Sequence, residues 1–549
     1  MKVKLKLMRR IKENIANVVA FTGVTSILYV VAFATTNDIP VGEMAYQKLW
    51  LGRMSFIFLV CFLVSFCLDK KLSLRFPSFV TWSLIILGGI EAAWGLGQIY
   101  GLVVSNHSSY VLTGPFYNPG PYSGYLAMIF PLCLHEWLNL KEKTERTYFE
   151  QGKYYFVLGI ALLILCVLPA SMSRSAWIAT AVSGAWVYGM HASWGNKLKK
   201  LGQKYKCWVV LAFFVGGIIL MVGGYVLFQL KPASASGRLF MWKISSLTIA
   251  ESPIVGHGTN SFASAYGVAQ ENYFAKGYYS EVEELVAGSP EYVFNEYLQV
   301  AIEYGIPALF VVLLVIAFCL WSGMVNKRIG VCGSVISVLV FAFSSYPMQI
   351  PGFAMAFYFL LAACLVGYSR IYTLLFTVMI ALLGSYYWKY NQYDACEEWS
   401  RCKMLYNISA FQSAKESYEK LYPKLNDRGA FLFEYGHCLH KLKEYETSTI
   451  IMEEAMAHSC DPMILNIIGK NYQAIGKYEK AEEYFIRSTH RLPGRIYPYY
   501  LLAKLYAEPE YQHPEKLKQA VQIVLTKEPK VQSTAIKEMR EEVKKLIKK

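Results

Sequence analysis

The chain is short of charge. Of its 549 residues only 17% are Asp, Glu, Lys or Arg, against 55% hydrophobic. A mean hydropathy of +0.30 excludes an ordinary soluble protein of this size, so the chain reads as a membrane protein with a soluble part. Its twelve cysteines include no Cys-x-x-Cys pair and no Cys/His spacing suited to zinc, so no metal site is implied. Matched halves with broken helices, the mark of many transporters, are not evident either. A net charge of +15 is compatible with nucleic acid, but in the apolar part Lys and Arg fall in short clusters between hydrophobic runs. There they set membrane orientation, and a nucleic-acid partner is disfavoured.

What is abundant is long apolar runs. Eleven are long enough to cross about 30 Å of hydrocarbon: Val18–Ala34, Trp50–Leu68, Phe79–Val104, Tyr122–Leu138, Tyr154–Ala170, Ser175–His191, Trp208–Leu230, Leu298–Trp321, Val331–Ser345, Ile350–Tyr368 and Ile371–Trp388. Basic clusters alternate with them. Lys2, Lys4, Lys6, Arg9 and Arg10 precede the first, and Lys70, Lys71 and Arg75 follow the second. Lys141, Lys143, Arg146 and Lys153 follow the fourth, and Lys197, Lys199, Lys200, Lys204 and Lys206 the sixth. Lys327 and Arg328 follow the eighth and Arg370 the tenth. Cytoplasmic loops carry such excess, so an odd number of spans starting inside ends outside. The organisation expected is a basic cytoplasmic segment 1–17, a multispan domain 18–389 with a large outer loop 231–291, and an extracytoplasmic domain 390–549. A cleaved signal sequence ending near Ala32-Phe33-Ala34 is the competing reading of the first run.

Beyond residue 400 a period emerges. Phe411, Tyr445 and Tyr478 are each followed three residues later by a small residue, Ala414, Ser448 or Ala481, and Gly436 and Gly469 keep the same interval. Small and aromatic residues at helical spacing, closed by a proline as in GKYEKAEEYFIRSTHRLPG, suit paired helices that stack on their neighbours. The segment resembles tetratricopeptide repeats, so the expected fold class is all-α: a polytopic membrane helix bundle followed by a soluble α-solenoid. Such an array either binds a protein partner or caps the membrane domain. In an oxidising compartment Cys396, Cys402, Cys438 and Cys460 can form disulfides.

The polar, turn-rich segments all fall on the expected outer face: SNHSSYVLTGPFYNPGP (105–121), SMSRSAW (171–177) and the loop 231–291. Arg174 and Arg238 break the charge rule there. Each alone suits interfacial snorkelling; together they suit an anion, because the planar guanidinium grips phosphate oxygens bidentately and keeps its charge. Glu91, with Gln98 two turns later, sits at membrane depth and requires a partner or a wet cavity. His257, between glycines in SPIVGHGTNSF, is either a general base or a turn residue.

Taken in order, TGPFYNPGPYSGYL, SMSRSAW, GRLFMW with ESPIVGHGTNSF, and FNEYLQVAIEYGIP resemble the motifs of the O-antigen ligase and polymerase superfamily, which also includes protein O-oligosaccharyltransferases. The resemblance covers about residues 80–370. It implies a bacterial inner-membrane enzyme that transfers a glycan from an undecaprenyl diphosphate carrier to an acceptor hydroxyl on the outer face, without metal, cofactor or nucleotide sugar. Arg174 and Arg238 match the family's essential arginines and are expected to hold the diphosphate. Asn118, Trp242, Asn295 and Glu303 lie in the same motifs and are expected to bind substrate. The family's histidine before Asn is replaced here by Phe294. The base expected to act instead is His257 or Glu296, and Glu296 stands about 200° around a helix from Phe294. The acceptor is lipid A core, as in a ligase, another lipid-linked glycan, as in a polymerase, or an exported protein. A non-catalytic scaffold presenting the repeats in the periplasm is the reading from another class.

Overall fold

The computed structural model describes residues 2–34, 43–69, 75–194, 225, 229, 232–365 and 370–547. The fold is all-helical, as expected. In chain order the helices are α1 (Lys2–Leu28), α2 (Glu43–Leu68), α3 (Phe76–Ile99), α4 (Pro119–Lys141), α5 (Tyr148–Val167), α6 (Arg174–His191), α7 (Pro232–Glu251), α8 (Phe262–Ala275), α9 (Glu281–Val286), α10 (Glu296–Val325), α11 (Ile329–Ala342), α12 (Pro351–Leu365) and α13 (Arg370–Lys389). Nine more complete the chain: α14 (Tyr393–Asn407), α15 (Phe411–Leu425), α16 (Gly429–Lys441), α17 (Tyr445–Met456), α18 (Pro462–Ala474), α19 (Tyr478–Arg491), α20 (Ile496–Tyr506), α21 (Pro514–Thr526) and α22 (Thr534–Ile547). They divide between two compact units. One comprises Met1–Leu227, Phe294–Glu296 and Val311–Tyr393, the other Phe228–Val293, Tyr297–Phe310 and Asp394–Lys549.

The first unit is the apolar bundle. Several of its helices are long and apolar enough to cross a membrane, among them Met44–Leu68, Phe76–Ile99 and Tyr148–Ser171. Chain entry is set locally: Pro77 opens α3, and Thr147 and Glu150 form a capping box on α5. Phe58, Phe62, Phe76, Phe359 and Phe376 stack edge and face into one cluster that joins α2, α3, α12 and α13. Against hydrocarbon such contact, not water exclusion, holds helices together. The basic start belongs to α1 itself, and the expected third span stops at Ile99. Helices α11 and α12, of 14 and 15 residues, are shorter than a full crossing. The seventh expected span, Trp208–Leu230, lies outside the described residues except for Tyr225 and Gln229, as do Lys70, Lys71 and the basic cluster 197–206.

The eighth expected span, Leu298–Trp321, lies in a helix apolar enough to cross a membrane, Glu296–Val325, but that helix is kinked. Gly305 has φ 84° and ψ 166°, which no helix accommodates, so α10 is two helices joined at a kink. The polar piece 296–304 ends there, and an apolar piece, 306–325, with Pro307 in its first turn, follows for about twenty residues or roughly 30 Å. A stretch that begins polar and continues apolar is thus two elements.

The second unit combines the segment 232–293 with the tail. The segment is built of α7, α8 and α9, not of irregular loop, with a core of Phe240, Ile244, Phe262, Tyr266 and Phe274. In the tail, successive helices pack as neighbours. Adding a Cβ at Gly436 would bring it to 3.0 Å from Met452, and at Gly469 to 2.5 Å from Phe485, so the periodic glycines let α16 approach α17 and α18 approach α19. Ala414, Ser448 and Ala481 are wholly buried. The thiols of Cys402, Cys438 and Cys460 donate to the carbonyls of Ala414, Phe411 and Pro290, which is helix packing and not disulfide bonding.

Candidate functional site

In the bundle, Arg174 is the first residue of α6. A 3-10 turn at Pro169–Ser171 and a left-handed Met172 (φ 51°) precede it, with Ser173 at the N-cap. The turn is braced by Ser171 Oγ and Trp177 Nε1, which both donate to the Leu168 carbonyl, at 2.6 and 2.9 Å. A cation at a helix N-terminus opposes the macrodipole, whereas a helix N-terminus and a guanidinium both favour an anion. From this turn a groove of about 690 Å³ runs along α6, lined by Leu134, Leu165, Pro169, Trp177, Ala181 and Tyr188 and almost wholly apolar. Between Trp177 and Tyr188 it extends roughly 16 Å at 1.5 Å per residue.

Also in the bundle is the start of α10. Phe294 is left-handed (φ 54°), an unusual conformation for a bulky side chain, and packs edge-on against Tyr346 at 4.9 Å. Asn295 is buried. Glu296 is 8% exposed, its Oε1 accepting from the Met348 amide at 2.7 Å and its Oε2 from Gln349 Nε2 at 3.1 Å. With both oxygens holding the 347–349 turn, Glu296 is engaged as a structural acceptor. Asn118 caps α4, its Oδ1 accepting from the Gly120 amide at 2.8 Å, a local reason for Asn before Pro119.

Gln98 does not partner Glu91. Its Oε1 accepts from the Thr113 and Gly114 amides at 2.9 and 2.8 Å, and its Nε2 donates to the Val104 and Gly114 carbonyls, both at 3.2 Å, so it staples the turn 104–114. Glu91 is fully buried, and neither of its carboxyl oxygens has a hydrogen-bond partner among the described residues.

The second unit carries Arg238, Trp242, His257 and Glu303. Arg238 is half-buried near the start of α7, and Trp242, one turn on, packs against the Phe240–Tyr266 core. Lys243 on the same helix donates to Glu283 Oε1 at 2.5 Å and to Tyr273 Oη at 2.7 Å. Burial pushes the Glu283 carboxyl up, but the bonds from Lys243, the Ser280 amide and Tyr273 outweigh it and hold the group at about 2.

The segment with His257 is not free to move. His257 donates its backbone amide to the Ile302 carbonyl (2.8 Å), Gly258 to Glu303 (3.0 Å), and Ile306 to Pro253 (2.8 Å). The Glu303 carboxylate accepts from Gln299 Nε2 at 2.6 Å and from the Asn260 amide. His257 Nε2 lies 2.9 Å from the Thr248 carbonyl of α7; a carbonyl only accepts, so Nε2 bears the proton and Nδ1 is left as the basic nitrogen.

Two glycines missed as a pair make this possible. A Cβ on Gly256 (φ 75°) would fall 2.5 Å from the Glu303 carbonyl, and one on Gly305 (φ 84°) would fall 2.0 Å from the Ile254 oxygen. VGHG and EYGIP are therefore two halves of one backbone contact. Each motif's glycine was legible, their partnership was not.

The structure thus brings His257 and Glu303 together and ties both to the helix bearing Arg238, while Arg174, Asn118, Asn295 and Glu296 belong to the bundle. Residues 159–313, which include Arg174, Arg238, Trp242, His257, Asn295, Glu296 and Glu303, match the family described as O-Antigen ligase. No curated protein matches the chain at a significant level.

Proposed function

We propose, for a chain whose residues 159–313 match the O-Antigen ligase family and whose apolar helices suit a membrane glycan transferase of ligase or polymerase type, a specific reaction: inverting transfer of a glycan from undecaprenyl diphosphate to an acceptor hydroxyl at the outer face of the bacterial inner membrane. The observation that carries this is Arg174, set on a braced helix N-terminus three residues before Trp177, which lines an apolar groove along α6. A ligand with an anionic head and an isoprenoid tail fits both, the diphosphate at Arg174 and the hydrocarbon along α6.

The acceptor oxygen attacks the anomeric carbon, forming the new C–O bond as the bond to the diphosphate oxygen breaks and the leaving group takes the electron pair. Arg174 and Arg238 stabilise the charge developing there, which requires no acid. The acceptor proton passes to His257 Nδ1, the basic nitrogen left by the Thr248 bond; Glu296 is already committed to the 347–349 turn. Trp242, Asn118, Asn295 and Glu303 are the residues assigned to substrate binding in this reading.

The tail lies on the same side of the membrane as segment 232–293, because α8 and α19 are in contact within one unit and no bilayer separates touching helices. With that segment outside, the repeat-like tail is periplasmic. Lipid A core is the acceptor preferred here, with a second lipid-linked glycan or an exported protein as the alternatives.

Purified protein in nanodiscs, given polyprenyl diphosphate-linked glycan, tests the reading by release of free polyprenyl diphosphate. Arg174→Lys and Arg238→Lys are each expected to lose about 10²–10³-fold in rate, the cost of one electrostatic donor, because a point charge does not reproduce the fork. Full transfer by the double Lys variant overturns the clamp, and a wild-type protein that releases none leaves the scaffold reading.

A further inference from the structure

The tail is joined to the 232–293 segment by buried charge. Glu271 on α8, its side chain 13% exposed, accepts from Arg487 Nε at 2.8 Å through Oε1, and from Arg491 Nη2 at 2.7 Å and Nε at 3.3 Å through Oε2. Both arginines are on α19, and the Arg491 side chain is only 3% exposed. The preceding residue, Gln270, donates Nε2 to the Arg491 carbonyl at 2.6 Å and to the Gly288 carbonyl at 3.1 Å. Leu492 is buried in the same core as Phe240 and Tyr266. A Cβ on Gly267 would meet Arg491 at 2.5 Å and Cys460 at 2.8 Å. At the far end Lys527 pairs with Glu284 at 2.5 Å. A mere tether between two independent modules requires none of this close approach, and a buried carboxylate gripped by two guanidinium groups is costly to leave half-paired.

From Glu271 the contact continues to the candidate site. Two and three residues along α8, Tyr273 and Phe274 pack on Phe240 of α7, with ring centroids 5.9 and 5.5 Å apart, and Tyr273 Oη receives the Lys243 bond. Arg238 lies two residues before Phe240. Eight residues beyond Phe240, α7 is held by His257 through Thr248.

We propose that the helical tail is a structural part of the transfer centre, and that Glu271 is its positioning residue: clamped by Arg487 and Arg491, it seats α8 and thereby fixes α7 and the guanidinium of Arg238. This rests on the reading of Arg238 as a diphosphate ligand. It gives the tail a role in the transfer itself, beside any partner it recruits.

The test uses the full-length protein with Glu271→Gln, Arg491→Glu and the exchange Glu271→Arg with Arg491→Glu. Two quantities are read: hydrogen exchange of the α7 amides without substrate, and KM and kcat for lipid-linked donor. Each single variant is expected to lose about tenfold in α7 protection and raise donor KM about tenfold, more than it lowers kcat, and the exchange variant to recover most of both. Wild-type protection and KM in Glu271→Gln overturn the proposal, as does an exchange variant that is monodisperse yet no better than its parents. Because α7 protection needs no turnover, a clamp that fails is distinguished from a transfer reaction that was misassigned: lost protection with no change in donor KM refutes positioning, whereas intact coupling with no transfer by wild type refutes the reaction.

Discussion

Replacing Gly305 by alanine tests the architecture of the candidate site at one atom. The new Cβ falls 2.0 Å from the Ile254 oxygen, and the backbone there (φ 84°, ψ 166°) is one that only glycine adopts readily. Conformational strain of this kind costs about 1–3 kcal/mol. Relieving the clash separates the two strands of backbone and forfeits the bonds from His257, Gly258 and Ile306, at about 0.5–1.5 kcal/mol each. The expected penalty for opening this contact is about 3–6 kcal/mol. In hydrogen exchange that appears as a loss of about two to four orders of magnitude in protection at those three amides, with glycan transfer falling alongside. Gly277→Ala is the control: its φ is also positive at 73°, but nothing lies within 4 Å of the added Cβ, so left-handed strain of about 1–2 kcal/mol is the whole cost. Equal effects of the two substitutions, or unchanged protection in Gly305→Ala, refute the interlocking of the two glycine motifs.

Other outcomes follow from the same geometry. Glu296→Gln is expected to keep most of the transfer rate while lowering the thermal midpoint, since its oxygens hold the 347–349 turn, whereas His257→Gln at matched expression loses about 10²-fold or more, the usual contribution of a general base; wild-type transfer by His257→Gln rejects it as the base. In the tail, burial, reinforced by Lys441, His440 and Lys470, lowers His437 to about 4. The unfolded imidazole binds a proton near pH 6.5 and the folded one only near 4, so tail stability is full above 6.5 and is lost as pH falls between these values, by about 1–2 kcal/mol after allowance for partial exposure. Equal denaturant midpoints for α16 at pH 7 and pH 5, read by peptide-resolved hydrogen exchange, contradict that burial.

Hydrophobic runs, cap residues and the small-residue period are local, one-dimensional signals, and from them the all-helical class was legible, as the order of four motifs was for the superfamily. Arg174 and Arg238 stood out because a basic residue in an outer segment breaks a pattern. Pairings across sequence were hidden. Gln98 stands two turns after Glu91, yet its amide folds back onto residues 104–114. Residues 231–291 read as a loop because their apolar faces are short, and their helices are legible only once α7, α8 and α9 share a core. Glu296 read as an available base because the sequence does not reveal that the Met348 amide and Gln349 come to meet it.

What the sequence by itself determined is therefore everything that depends on neighbours within a few turns: which stretches are helical, where helices start, which are apolar enough to enter a membrane, and which residue types are available for gripping an anion. Only the tertiary structure decided that Gly256 and Gly305 meet, that α10 is two helices, that His257 is pinned to α7, and that Glu271 joins arginines 216 and 220 residues away. Those contacts carry no periodicity and no composition, because each rests on a single close approach between distant segments, and that approach exists only when the rest of the chain has packed around it.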